Sequence, residues 1–222
     1  MRNIIEIQSI REVIPYLNPD THLFLDLDNT LLTSVSEFGS DRWERFMVEQ
    51  FIQNGFSEEE AADRACQIWK AVQTVSEIQF VEEVTEEILK SLKNPLFAIT
   101  ARDFDFCSVT ESQLDFLDVQ FSKCKVDHPV YSRGVFYCGP TPKAQVLQWY
   151  LSHHPGAHIV LVDDYRSHLE TAAELLGPAF LGLRYSFLDT RKAQYTPCEA
   201  TKLLGKVFSH QKAVQHLRDG LV

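Results

Sequence analysis

At 222 residues with 45% hydrophobic side chains, the chain is long enough for one globular domain with an insertion, or for one large and one small domain. A formal net charge of -10 argues against nucleic acid, which needs clustered Lys and Arg, and against docking on anionic membrane surfaces. Five cysteines, an odd number with no CxxC pair, speak for reduced thiols rather than a disulfide framework or a zinc site.

The N-terminal "MRNIIEIQSIREVIPYL" spreads charges through its apolar residues and lacks the apolar core of a leader. We therefore expect no signal peptide, no transmembrane helix and a cytoplasmic protein. The first buried strand is "HLFLDLD" (22–28), which ends in two aspartates separated by one residue. From Thr33 to about Phe80 no strand is expected. "SDRWERFMVEQFIQNG" and "SEEEAADRACQIWKAVQTV" instead read as a pair of amphipathic helices, split at Asn54-Gly55, with Ser40 and Ser57 as N-caps.

After this insertion strands and helices alternate. "VEEVTEEILKSLK" (81–93) has apolar residues at helical spacing and precedes the strand "LFAITAR" (96–102). Residues 103–133 are irregular, with one helix around "VTESQLDFL". "GVFYCG" (134–139) is a further short strand. "TPKAQVLQWYLSHHPG" is a helix with Thr141 as cap and Pro142 in its first turn, ending at Pro155-Gly156. Then come the strand "HIVLVDD" (158–164), a helix over 165–178 closing on Gly177-Pro178, the strand "AFLGLRY" (179–185), and a C-terminal helical stretch from Thr196. The strands are apolar on both faces, as parallel strands covered on both sides are. The expected fold class is therefore α/β, a Rossmann-like doubly wound parallel sheet with a small α-helical cap insertion. Residues 1–32 and 81–222 would form the core and 33–80 the cap.

Polar residues gather at one rim of this sheet. Asp26 and Asp28 end the first strand, and a period of two puts both on one side if the extended geometry persists. Thr100 and Arg102 end the second strand, and Asp163 and Asp164 end the fourth. Lys143 opens the helix before that strand. Several carboxylates converging here would repel one another by several kcal/mol at an effective dielectric near ~20, more than Lys143 alone offsets. A divalent cation with oxygen ligands, Mg²⁺, would complete the balance and accept a phosphate.

The set Asp26-Leu27-Asp28-Asn29-Thr30, Thr100, Lys143 and Val162-Asp163-Asp164 resembles the haloacid dehalogenase-like (HAD) superfamily, in that family's motif order and over nearly all of the chain. Helices directly after the first motif resemble its C1-type cap. "GSDRW" and "AITAR" resemble a poorly characterised bacterial branch found largely in intracellular bacteria, with no settled substrate. The resemblance implies that Asp26 is the nucleophile and Asp28 the general acid and base. True dehalogenases lack the second aspartate, so phosphoester hydrolysis is implied. Thr100 and Lys143 would hold the phosphoryl group. Mg²⁺ would bind the Asp26 carboxylate, the Asp28 backbone carbonyl and an acid of the last pair, with Asp164 favoured and Asp163 in support.

Plainer readings stand beside these. The two aspartates alone could serve a turn. Arg102 could bind substrate or pair with a carboxylate, and His168 could line the site or lie on a helix surface. His153 and His154 suit a helix C-terminus. Trp43 and Trp69 suit packing between cap and core, and Cys107 and Cys138 burial. The expected activity is Mg²⁺-dependent hydrolysis of a small phosphorylated metabolite, with no nucleic-acid or membrane partner and the oligomeric state open. A phosphoprotein phosphatase and a catalytically silent effector module are the alternatives.

Overall fold

Runs that are apolar on both faces have to be covered on both faces, and the chain does this with helices. The computed structural model describes residues 3–35, 39–124 and 127–194. The helical stretch expected from Thr196 lies outside them. In chain order the strands are β1 (Ile4–Ile7), β2 (Thr21–Leu25), β3 (Leu32–Ser34), β4 (Ile78–Phe80), β5 (Leu96–Thr100), β6 (Tyr131–Ser132), β7 (Val135–Tyr137), β8 (His158–Asp163) and β9 (Phe180–Tyr185). The helices are α1 (Asp41–Gln53), α2 (Glu58–Gln73), α3 (Thr85–Ser91), α4 (Cys107–Phe116), α5 (Lys143–His153), α6 (Arg166–Leu176) and α7 (Asp189–Ala193).

A seven-stranded sheet runs in the order β1-β9-β8-β2-β5-β7-β6. Its pairings are parallel, except for the short antiparallel β6–β7 pair. Side chains alternate between two cores. Leu23, Leu25, Ala98, Val160 and Val162 pack on one face with Ile88 of α3 and Leu114 of α4. Phe24, Phe97, Ile99, Ile159 and Leu161 pack on the other with Leu147 of α5 and Leu169 of α6. This is the expected α/β, Rossmann-like arrangement.

Chain order runs outward from β2 in both directions, to β5 and β7 on one side and to β8 and β9 on the other. The β2/β8 boundary is therefore the point where strand order reverses. In sheets of this kind the crevice beyond the carboxyl ends at that point is where ligands bind.

Some elements differ from the sequence reading. β1 was not foreseen: Ile4–Ile7 pairs with β9 as an edge strand, and the Ser9–Glu12 capping box then starts a 3-10 helix. β3 and β4 form a separate two-stranded sheet in the stretch where no strand was expected. Three residues each are too few to show a period of two. Thr141 does not cap α5, because Pro142 occupies the N-cap position without a side-chain bond. α6 does stop at Gly177, whose φ of +58° a glycine adopts without steric cost.

The chain divides into two compact units, Met1–Thr33 with Phe80–Leu188, and Ser34–Gln79 with the segment from Asp189. The first holds the seven-stranded sheet. The second is built on α1 and α2, around Trp43, Met47, Ala65 and Val72. Ser40 accepts from the Trp43 N–H at 3.1 Å, and Ser57 forms a capping box with Glu60. Trp69 and the buried Gln73 both donate to the Gly39 carbonyl, tying the entry loop to α2.

Candidate active site

β2 ends at Leu25, yet Asp26 stays tied to β8 through its N–H, which donates to the Val162 carbonyl at 2.9 Å. The chain then turns sharply. The N–H groups of Leu31 and Leu32 both donate to the Leu27 carbonyl at 2.9 Å, and Asn29 adopts φ +62°. Asparagine tolerates that left-handed conformation better than most side chains. Asp26 and Asp28 then reach different partners.

Asp26 faces α5. Lys143 Nζ donates to Asp26 Oδ1 at 2.6 Å and to Asp163 Oδ2 at 2.7 Å, and all three side chains are buried. A buried lysine at the start of a helix opposes both the helix dipole and its own hydration. These two carboxylates are what make the position tenable. Asp163, at 0% exposure, also accepts from the Tyr165 N–H at 2.7 Å and contacts His168 Nδ1 at 3.0 Å. His168 thus joins the site, an outcome its helix position left open. Asp164, also buried, has its N–H bonded to Thr30 Oγ1 at 3.2 Å. Carboxylate oxygens of Asp26, Asp163 and Asp164 lie within 4.8 Å of one another.

Three carboxylates against one ammonium leave two negative charges. Burial, reinforced by the like charges of Asp163 and Asp164, pushes the Asp26 carboxyl well above the ordinary range despite Lys143. Burial also opposes ionisation of Asp163, but Lys143 and His168 outweigh it and hold that carboxyl below its usual value. Burial works against the charge of Lys143 too, yet Asp163 and Asp26 raise its pKa. A hard-oxygen cluster with a residual charge of two suits a divalent cation that prefers oxygen ligands.

Asp28 is a third exposed, at 34% of its side chain, and faces Arg102 of the β5 end. Arg102 Nε donates to Asp28 Oδ2 at 2.8 Å and Nη2 to Oδ1 at 2.7 Å, a two-pronged pair. Nη1 donates to Thr110 Oγ1 at 3.0 Å and Gln113 Oε1 at 2.7 Å, both buried on α4. The Arg102 side chain is only 2% exposed and makes the carboxylate pair that one of its sequence readings expects. Sequence reasoning missed Thr110 and Gln113. Their signal was two polar residues one helical turn apart, beside the core residue Leu114. Thr100, buried, ends β5 next to β2, and its Oγ1 accepts from the Arg102 N–H at 3.2 Å.

The remaining residues singled out in the sequence take packing and helix-end positions. His153 and His154 bond through Nδ1 to the Trp149 and Tyr150 carbonyls in the last turn of α5. Trp43 is buried in the helical unit, and Cys138 is buried while Cys107 is partly so.

A family model described as "Protein of unknown function (DUF2608)" matches residues 3–216. A Chlamydia pneumoniae protein named "Putative outer membrane protein" is 25% identical over 199 residues, covering 81% of this chain and 76% of its own. Among solved structures, a haloacid dehalogenase-like hydrolase from Burkholderia xenovorans is 15% identical, with a TM-score of 0.46, covering 76% of this chain and 83% of its own. A HAD family hydrolase from Deinococcus radiodurans, with bound phosphate and sodium, is 13% identical, with a TM-score of 0.41, covering 82% of this chain and 97% of its own. At these values the functional reading rests on the chain's own residues.

The Chlamydia relative's name overturns the expected cytoplasmic location. The ground for that expectation was the missing leader pattern in the first residues. Those residues are taken up by β1 and the 3-10 helix, so their charges answer to the fold and carry no information about export. Among the described residues no helix is long and apolar enough to cross a membrane.

Proposed function

We propose that this chain, which belongs to DUF2608, a family of proteins of unknown function, is a Mg²⁺-dependent phosphatase acting on a small phosphomonoester. One observation carries the reading. Asp26, Asp28, Thr100, Lys143 and the Asp163-Asp164 pair converge from four separate segments on one end of the sheet, where its strand order reverses.

Asp26 is the nucleophile. Its oxygen attacks phosphorus in line with the leaving oxygen and forms an aspartyl-phosphate. Asp28 gives a proton to the leaving group and then takes one from the water that hydrolyses the intermediate. The Thr100 hydroxyl, with one lone pair taken by the Arg102 N–H, directs its own hydrogen to a phosphoryl oxygen. Lys143 neutralises Asp26 and the incoming phosphate. The Asp26 carboxylate, the Asp28 backbone carbonyl and the Asp164 carboxylate would hold the ion. When bound it supplies positive charge against the phosphate. The bonds already made by Asp163 to Lys143, Tyr165 and His168 support Asp164 as the ligand of the pair. The helical unit that follows the first motif serves as a cap that favours small substrates.

The test is hydrolysis of an aryl phosphate with Mg²⁺ by the wild-type chain and by Asp26→Asn. Activity is expected in the wild type, lost on chelation with EDTA and absent from the variant. A rate that neither EDTA nor the substitution changes would sink the reading.

A further inference from the structure

We infer that Arg102 is a positioning residue, which fixes the Asp28 carboxylate and the Thr100 hydroxyl relative to one another and contacts no substrate. The inference rests on the phosphatase reading above and assigns Arg102 a role within it. A guanidinium is planar and holds its donors in a fixed fork, so its orientation dictates that of a carboxylate bound by two prongs. Here the fork engages both oxygens of Asp28, at 2.8 and 2.7 Å. The third nitrogen is anchored on α4 by Thr110 at 3.0 Å and Gln113 at 2.7 Å. Phe106 lies against the guanidinium face, 5.7 Å from its ring centroid. The Arg102 backbone N–H bonds the Thr100 hydroxyl at 3.2 Å.

Asp28 lies in the turn beyond the last residue of β2, past the last registered β2–β5 pair, Leu25 with Ala98. Its carboxylate is a third exposed and would otherwise sample several rotamers. Arg102 removes that freedom. It ties the rim of β2 to β5 and α4, two elements already packed in the core. Holding a reacting group in one orientation raises the rate of the chemical step without strengthening ground-state binding, so the effect belongs in kcat. Thr110 and Gln113 act one step further away, by fixing Arg102.

The experiment compares Arg102→Ala, Arg102→Lys and Gln113→Leu with the wild-type chain in Mg²⁺-dependent aryl phosphate hydrolysis, each first shown to be folded by circular dichroism and a thermal melt. Arg102→Ala should lower kcat roughly 100-fold and leave KM within about twofold. Arg102→Lys keeps the charge but not the fork, so it should fold like the wild type and still lose roughly tenfold in kcat. Gln113→Leu should give a smaller loss in the same parameter. A rise in KM at unchanged kcat would make Arg102 a substrate ligand and overturn the inference. Full activity in Arg102→Lys would reduce its role to charge and also overturn it. An inactive wild-type chain would bring down the phosphatase reading and this role with it. An active wild type with unaffected variants would bring down this role alone.

Discussion

At Asp26 the fold works against the ionised form that the proposed nucleophilic role needs. Burial and two neighbouring carboxylates raise its pKa, so the folded chain holds this proton more tightly than the unfolded one. Stability from that group is then present at low pH and declines as pH rises from the ordinary carboxylate value near 3.8 through the raised folded value. Asp26→Asn should therefore lessen the fall in melting temperature of the metal-free protein as pH rises from acidic to neutral, while lowering it overall because Lys143 loses one of its two carboxylate partners. A variant that keeps the wild type's fall in melting temperature over that range would refute this. Added Mg²⁺ should stabilise the wild type, since a ligand of the folded state shifts the equilibrium toward it. Asp164→Asn should abolish that gain. Asp163→Asn should behave differently. It strips the buried Lys143 of one partner and should cost about 3–5 kcal/mol in a denaturant titration of the metal-free chain.

At the level of elements, local signals were legible where a residue's role is local. Ser40 and Ser57 cap α1 and α2, as serine before an amphipathic run implies. Ser40→Ala should cost about 1 kcal/mol, read by chemical denaturation. His22 shows what local reading leaves out. It lies on β2 and bonds the Tyr150 hydroxyl at 2.7 Å, with the His154 ring 5.8 Å away. Burial and then His154 lower its pKa, against the pull of Asp20. A histidine with a depressed folded pKa supports the fold above its unfolded value near 6.5, and that support is lost as pH falls below it. His22→Gln should flatten the decline in melting temperature on acidification through that range. An unchanged slope would refute it. β1 and the β3–β4 pair escaped the sequence reading for a related reason. Such short strands are defined by the partner they bond, and the partner lies more than forty residues away for β3 and β4 and far beyond that for β1.

At the scale of the whole molecule, a helical unit built on α1 and α2 follows Asp26 and Asp28 in the chain, and the proposed substrate is a small phosphomonoester. Small sugar or nucleotide monophosphates should be turned over faster than a phosphoserine peptide, measured as kcat/KM under equal Mg²⁺. Faster turnover of the peptide would favour a macromolecular substrate. The amino-acid sequence determined the α/β class, through strands apolar on both faces, and placed Asp26, Asp28, Thr100, Lys143 and Asp163-Asp164 at one rim, because strand ends can be read from where apolar runs stop. Tertiary structure alone decided how those acids divide. Asp26 meets Lys143 and Asp28 meets Arg102, while Asp163 bonds Lys143, Tyr165 and His168. Carboxylates are alike in sequence, and the partners that distinguish them arrive from segments up to 117 residues away.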